Sequence, residues 1–224
     1  MPKLNYMLVI FIAIALFILF IITQVLGQEN LQEEKVAGTA PDSFLWNFDV
    51  FFDNLKVFFA FDPGTRAKIS LDIAKERLEE FNLMHQKNRI DLSRLAEQEH
   101  TRLLEEAKVS LRNIERLDRG RELEEVVELE REIIKHKTRA EDIAVEVKIK
   151  TKTGQLTQEQ QDLLNATIES ILKDADETEV EIVNRKEKTR IRIKTFTGKT
   201  DEEIEEEIER LENRTGLKLS LIHI

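Results

Sequence analysis

The sequence predicts a mainly α protein: an N-terminal transmembrane helix, an antiparallel bundle of long amphipathic helices, and a small C-terminal α+β unit of a β-hairpin plus a helix. Three observations carry this reading. Tyr6 to Ile22 (YMLVIFIAIALFILFII) contains no polar side-chain atom beyond a tyrosine hydroxyl. Charged residues make up 35% of the chain against 6% aromatic, the balance of long solvated helices around a thin core. Apolar residues recur at three- and four-residue steps from Phe44 to about Ile143, and only later alternate with charges.

The apolar run comes first. Extended to Leu26 at about 1.5 Å per residue, it is long enough to cross a hydrocarbon core of roughly 30 Å. Lys3 precedes it and Gln28, Glu29, Glu33 and Glu34 follow, so the body is expected outside the cytoplasm. Residues 1–27 are therefore read as a single-pass anchor whose partner is the lipid bilayer, Tyr6 to Leu26. Its length exceeds the usual signal-peptide core, yet Val25-Leu26-Gly27 is an acceptable cleavage site, and the alternative is secretion after cutting near Gly27. Residues 28–41 (QENLQEEKVAGTAP) carry no apolar period and read as a linker.

The helical domain is expected over 42–152. Asp42-Ser43 after Pro41 is the expected N-cap of a first helix to about Phe59, whose phenylalanines form a wide apolar face. Packing of that face and Trp46 on the next three helices is preferred over a membrane-interfacial position, because Asp49 and Asp53 would meet lipid headgroups with only Lys56 in compensation. Asp62-Pro63 restarts a helix to about His85, with Leu71, Ala74, Leu78 and Phe81 at coiled-coil spacing. After a break at Asn88 to Asp91, a third helix is expected to about Leu117. Asp118-Arg119-Gly120 is the next weak point, because glycine costs roughly 1 kcal/mol inside a helix relative to alanine. A fourth helix carries Leu123, Val126, Val127, Ile133, Ile134, Ala140 and Ile143.

Pro41-Asp42-Ser43, the junction Phe61-Asp62-Pro63, and Leu71-Asp72-Ile73-Ala74-Lys75-Glu76-Arg77-Leu78-Glu79-Glu80 together resemble the helical family known as domain of unknown function 5667. The resemblance covers about residues 41–145. It implies an exported or membrane-tethered helical domain, and it carries no activity and no functional residues.

Past Ala140 the pattern divides. Val145, Val147 and Ile149 alternate with charges, as in a strand, while Gly154, Leu156 and the capping box Thr157 to Gln160 read as one helix ending and another beginning. Continuation of the fourth helix to Lys152 is favoured, with strand for 144–152 left open. A connecting helix is expected from Gln158 to about Lys173, within 153–175. In 176–216, Val180, Ile182, Ile191 and Ile193 alternate with charges on either side of Asn184 to Glu187 and read as a hairpin. The helix capped by Thr200 to Glu203 would cover it with Ile204, Ile208 and Leu211. Lys148 to Gly154 echoes Arg192 to Gly198, each followed by a threonine-capped helix. Leu219 to Ile224 resembles translated adapter sequence, and the tail 217–224, of doubtful origin, is left out of the fold reading.

Candidate chemistry is sparse. There is no cysteine, which removes disulfides and thiolate sites, and a net charge of −10 argues against nucleic acid. His85, His100, His136 and His223 are scattered; Glu132 and His136 stand one turn apart and read as an exposed ion pair rather than metal ligands. Glu105-Glu106 and Glu124-Glu125 read as solvated helix surface. The sequons Asn165-Ala166-Thr167 and Asn213-Arg214-Thr215 are glycosylation acceptors only in a glycosylating host. No catalytic, cofactor-binding or metal-ligating residue is assigned, and the chain is not read as an enzyme. It is expected to be a membrane-tethered extracytoplasmic scaffold or protein-interaction module with a protein partner or self-association; the first alternative is an envelope sensor or regulator acting through a membrane partner, and an enzyme ranks last.

Overall fold

The computed structural model describes residues 39–115, 118–152 and 156–215. Among these are helices α1 (Trp46–Phe59), α2 (Pro63–Gln86), α3 (Ile90–Arg112), α4 (Arg119–Lys152), α5 (Gln158–Thr197) and α6 (Asp201–Thr215), and no strand. None of these helices is long and apolar enough to cross a membrane. The anchor at Tyr6 to Leu26, the cleavage site at Gly27, nearly all of the linker, the stop at Gly154, the end at Leu117 and the tail 217–224 lie outside the described residues.

Local chemistry sets the helix ends. Asp62 caps α2, its carboxylate accepting from the Thr65 amide at 2.9 Å with Pro63 at the first helical position. Asn88, at φ +58°, closes α2 in a left-handed turn in which the Asn88 amide reaches the His85 carbonyl and the Arg89 amide reaches that of Met84. α3 begins after Arg89, which makes no side-chain capping bond, and Asp91 lies in its first turn. α3 stops at Arg112, short of the expected end, while Asp118 accepts from the Gly120 and Arg121 amides and so starts α4 at the weak point. Thr157 with Gln160, and Thr200 with Glu203, each make both halves of a capping box.

Four long helices make the body. α2 packs on α3 and α4, and α5 closes the ring by packing on the same two. The core is layered along the bundle. A middle cluster joins Leu71 of α2 to Leu103, Leu104 and Leu111 of α3, Val126 and Ile133 of α4, and Ile182 of α5. One flanking cluster joins Leu78 and Phe81 to Ile90, Ile143, Val147, Leu164 and Ile168. The other joins Leu123 and Val127 to Ile193 and to Ile204 and Ile208 of α6. Early α2 thus meets late α3 and early α4 meets late α5, so both pairs are antiparallel, whereas α2 and α4 run parallel. Lys75–Glu132 and Glu79–Arg139 ion pairs lace that parallel seam.

The expected β-hairpin is absent. Val180, Ile182, Ile191 and Ile193 all lie on α5, which runs unbroken from Gln158 past residue 175 to Thr197. Its inward stripe is Ala175, Thr178, Ile182, Arg185, Thr189 and Ile193, at three- and four-residue steps. Half of that stripe is polar, so the apolar residues alone simulate alternation. Val180 and Ile191, the intended partners of Ile182 and Ile193 on one sheet face, are more than half exposed. The sequence echo survives as two helix ends: residues 148–152 close α4 as Arg192 to Thr197 close α5, and Gly198 takes the left-handed φ of +70° that ends α5.

Candidate functional site

Helix α1 is built inside out. At about 100° per residue, Phe48, Phe51, Phe52, Phe58 and Phe59 fall within an arc of about 120°, and Trp46, Asp49, Asp53 and Val57 fall opposite. The second face is the one that packs on α2: Trp46, Asp53 and Val57 are buried. All five are 54% or more exposed, as are Phe44 before the helix and Phe61 beyond it. The expectation that this aromatic face forms the first wall of the core is therefore corrected, and Trp46 alone of those aromatics is buried.

The reason lies in one buried cation. Arg77 of α2 is 1% exposed, and its Nη2 donates to Asp49 at 2.8 Å and to Asp53, while Nη1 donates to both Glu80 oxygens at 2.7 Å. Trp46 Nε1 donates to Glu80 at 3.0 Å, so the tryptophan closes the network from the α1 side. A buried guanidinium with five donors needs carboxylates around it, and α1 supplies two of the three. Desolvation pushes the Glu80 carboxyl up to about 7, against the opposing pull of Arg77 and of the Trp46 N–H. Orienting α1 the other way would bury phenylalanines and strand Arg77, so the ion network decides the orientation.

Two further polar groups sit inside the bundle. Glu122 of α4 is fully buried and accepts from Arg185 at 2.7 Å, Thr189 at 2.8 Å and Arg192 at 3.1 Å, which accounts for Arg185 and Thr189 in the inward stripe of α5. His100 of α3 and His136 of α4 stack with Nε2 atoms 2.8 Å apart. Burial pushes both imidazoles down, His136 to about 4, so the pair is neutral. His136 is therefore not in an exposed ion pair with Glu132, which instead bonds Lys75 and Arg131. Glu132 is desolvated, but the Lys75 hydrogen bond and charge outweigh burial and hold it down to about 2.

The remaining sequence candidates scatter. Glu105 pairs with Lys108 and Glu106 with Arg66, while Glu124 pairs with Arg214 of α6. Asn165 and Asn213 are exposed on helices, with the Thr167 hydroxyl turned in to the Leu163 carbonyl. Among the described residues no group of three or more His, Asp or Glu is placed to hold a metal ion. The arrangement can bind an apolar surface through α1. The Arg77 network that positions this face was missed in the sequence, where Arg77 only borders the apolar stripe Leu71, Ala74, Leu78 and Phe81 of α2.

A family model described as a domain of unknown function (DUF5667) matches residues 38–214. The chain belongs to that family. The DUF5667 match extends past the motifs that first suggested it and takes in α5 and nearly all of α6, so the helices closing the bundle are part of the domain. Arg77 and Glu80, within the helix motif that carried the resemblance, are also the centre of the network holding α1. No curated protein and no solved structure matches the chain.

Proposed function

We propose that this protein is a membrane-tethered, extracytoplasmic helical scaffold whose contact surface is the phenylalanine face of α1. One observation carries the reading: the apolar face points outward while the carboxylates of the same helix are held inward by Arg77. Exposed phenylalanine area is roughly 800 Å², at about 200 Å² per fully exposed ring, above the few hundred Å² that soluble monomers commonly show. A patch of that size marks a contact surface. The bundle behind it supports this role, because ion pairs between helices and three apolar clusters give the face a fixed base.

The tether rests on the apolar run Tyr6 to Ile22 and on the charges flanking it. Alkaline carbonate extraction of membranes from cells making the full chain tests it, together with protease added to intact cells. The expected result is a chain that stays in the membrane pellet and a body that is cut from outside. A chain released by carbonate, or a body cut only after the cells are opened, would contradict the reading.

A further inference from the structure

We infer that the partner of the α1 phenylalanine face is the outer surface of the bilayer in which the chain's own apolar run sits, so that α1 lies in the lipid interface with the bundle above it. The inference rests on the tethered reading above and adds the occupant of its contact surface. Sequence pattern argued against this position, because Asp49 and Asp53 would face lipid headgroups. The structure removes the objection: both carboxylates lie on the opposite side of the helix, bonded to Arg77, and Asp53 is 3% exposed. Of the charged residues within α1, that leaves Lys56, whose ammonium bonds Asp53 while its side chain stays 61% exposed at the rim. A helix that shows lipid an aromatic arc and a lysine flank has the charge placement of an interfacial helix.

Chain connectivity selects the bilayer over other apolar partners. The apolar run ends at Leu26 and the face begins at Phe44, eighteen residues later. Insertion of the rings into the same membrane is then intramolecular and loses little further translational freedom, whereas a second copy or a separate protein pays the full cost of association. The rings also suit lipid. Phe51 with Phe52, and Phe58 with Phe59, meet edge to face at 5.6 and 5.3 Å, forming a convex ridge with no polar atom to satisfy.

The test uses the full chain reconstituted in phosphatidylcholine vesicles. The chain has no cysteine, so Phe52→Cys, Phe58→Cys and the control Lys173→Cys can each carry one environment-sensitive fluorophore. Position 173 is on α5 with a 74% exposed side chain. The expected result is quenching at 52 and 58 by doxyl-labelled lipid with protection from aqueous iodide, and the reverse at 173. Labelling at 52 and 58 should leave the helical circular dichroism unchanged, because both rings are outside the core. Fluorophores at 52 and 58 open to iodide and untouched by doxyl lipid would overturn the proposal. So would protection from both quenchers with crosslinks to a second copy or another protein. Carbonate extraction of the same vesicles separates the two readings: an extractable chain whose labels still meet lipid loses the anchor and keeps the interfacial face, and an anchored chain whose labels meet water does the opposite.

Discussion

Replacing Arg77 by methionine tests whether one cation holds α1 in place. Methionine fills much of the same volume without charge, so the change isolates the ionic contribution. Asp53 and Glu80 are then left 3% and 0% exposed without their guanidinium, and breaking a buried pair in this way costs about 3–5 kcal/mol. Glu80 can relieve part of the cost by keeping a proton, since its carboxyl already sits at about 7. The loss should therefore be smaller near pH 5.5 than at pH 8. Trp46 is the chain's one tryptophan and bonds Glu80, so its emission reports α1 docking apart from bundle unfolding. Urea titration at pH 8, followed by Trp46 emission and by helical circular dichroism, should show emission shifted to the red before helix content falls. Arg77→Met with Asp53→Leu and Glu80→Leu should recover much of the loss, because the stranded charges are gone. A loss under about 1 kcal/mol at pH 8, with Trp46 emission unchanged, would refute the argument that Arg77 sets the orientation of the helix.

Other expectations follow from the same interior. Burial lowers His85 and His136 to about 4, so both are neutral in the fold and take a proton when unfolded below their ordinary value of 6.5. Stability should fall as pH drops from 6.5 towards 4, by about 3 kcal/mol per histidine at the limit, and His136→Gln should flatten that limb in pH-dependent urea titrations. Glu80 acts with the opposite sign: its carboxyl is raised, so its contribution is full below about 4.5 and is lost as pH rises through about 7, and Glu80→Gln should remove that slope. Glu122→Leu should cost about 3 kcal/mol or more by leaving Arg185 buried without its carboxylate, measured as a lower urea midpoint. Thr157→Ala should cost about 1 kcal/mol by opening the capping box of α5, and Gly198→Ala about the same through strain at φ +70°, each read from thermal melts.

Three helix starts were legible because their signals are local. Asp62-Pro63, Thr157 with Gln160, and Thr200 with Glu203 act through their own backbone, and each is found where the sequence places it. The apolar stripe of α2 was equally legible, since Leu71, Ala74, Leu78 and Phe81 are all buried. The expected cap at Asp42-Ser43 failed, since α1 starts after Leu45 without a side-chain cap, and the larger failures came at the two places where buried charge replaces apolar packing. On α5, Thr178, Arg185 and Thr189 occupy inward positions, the last two because Glu122 faces them, and their polarity hid the helical period. On α1, Asp49 and Asp53 look solvated until Arg77 is seen 24 to 28 residues away in sequence. The histidine pair is hidden for the same reason, since His100 and His136 meet only through the packing of two helices. Periodicity identifies faces, and it takes the partner across the interface to say which face is inside.

The orientation of α1 is the claim on which the contact surface depends, and a spin-label scan of the cysteine-free full chain tests it most directly. Single cysteines from position 46 to 59 should give nitroxide spectra immobilised at 46, 49, 53 and 57 and mobile at 48, 51, 52, 58 and 59, because only the first set packs on α2. Labels facing lipid stay mobile, so the contrast survives in vesicles. Immobilised spectra at 48, 51, 52 and 58 with mobility at 49 and 53 would put the phenylalanines in the core and contradict the account.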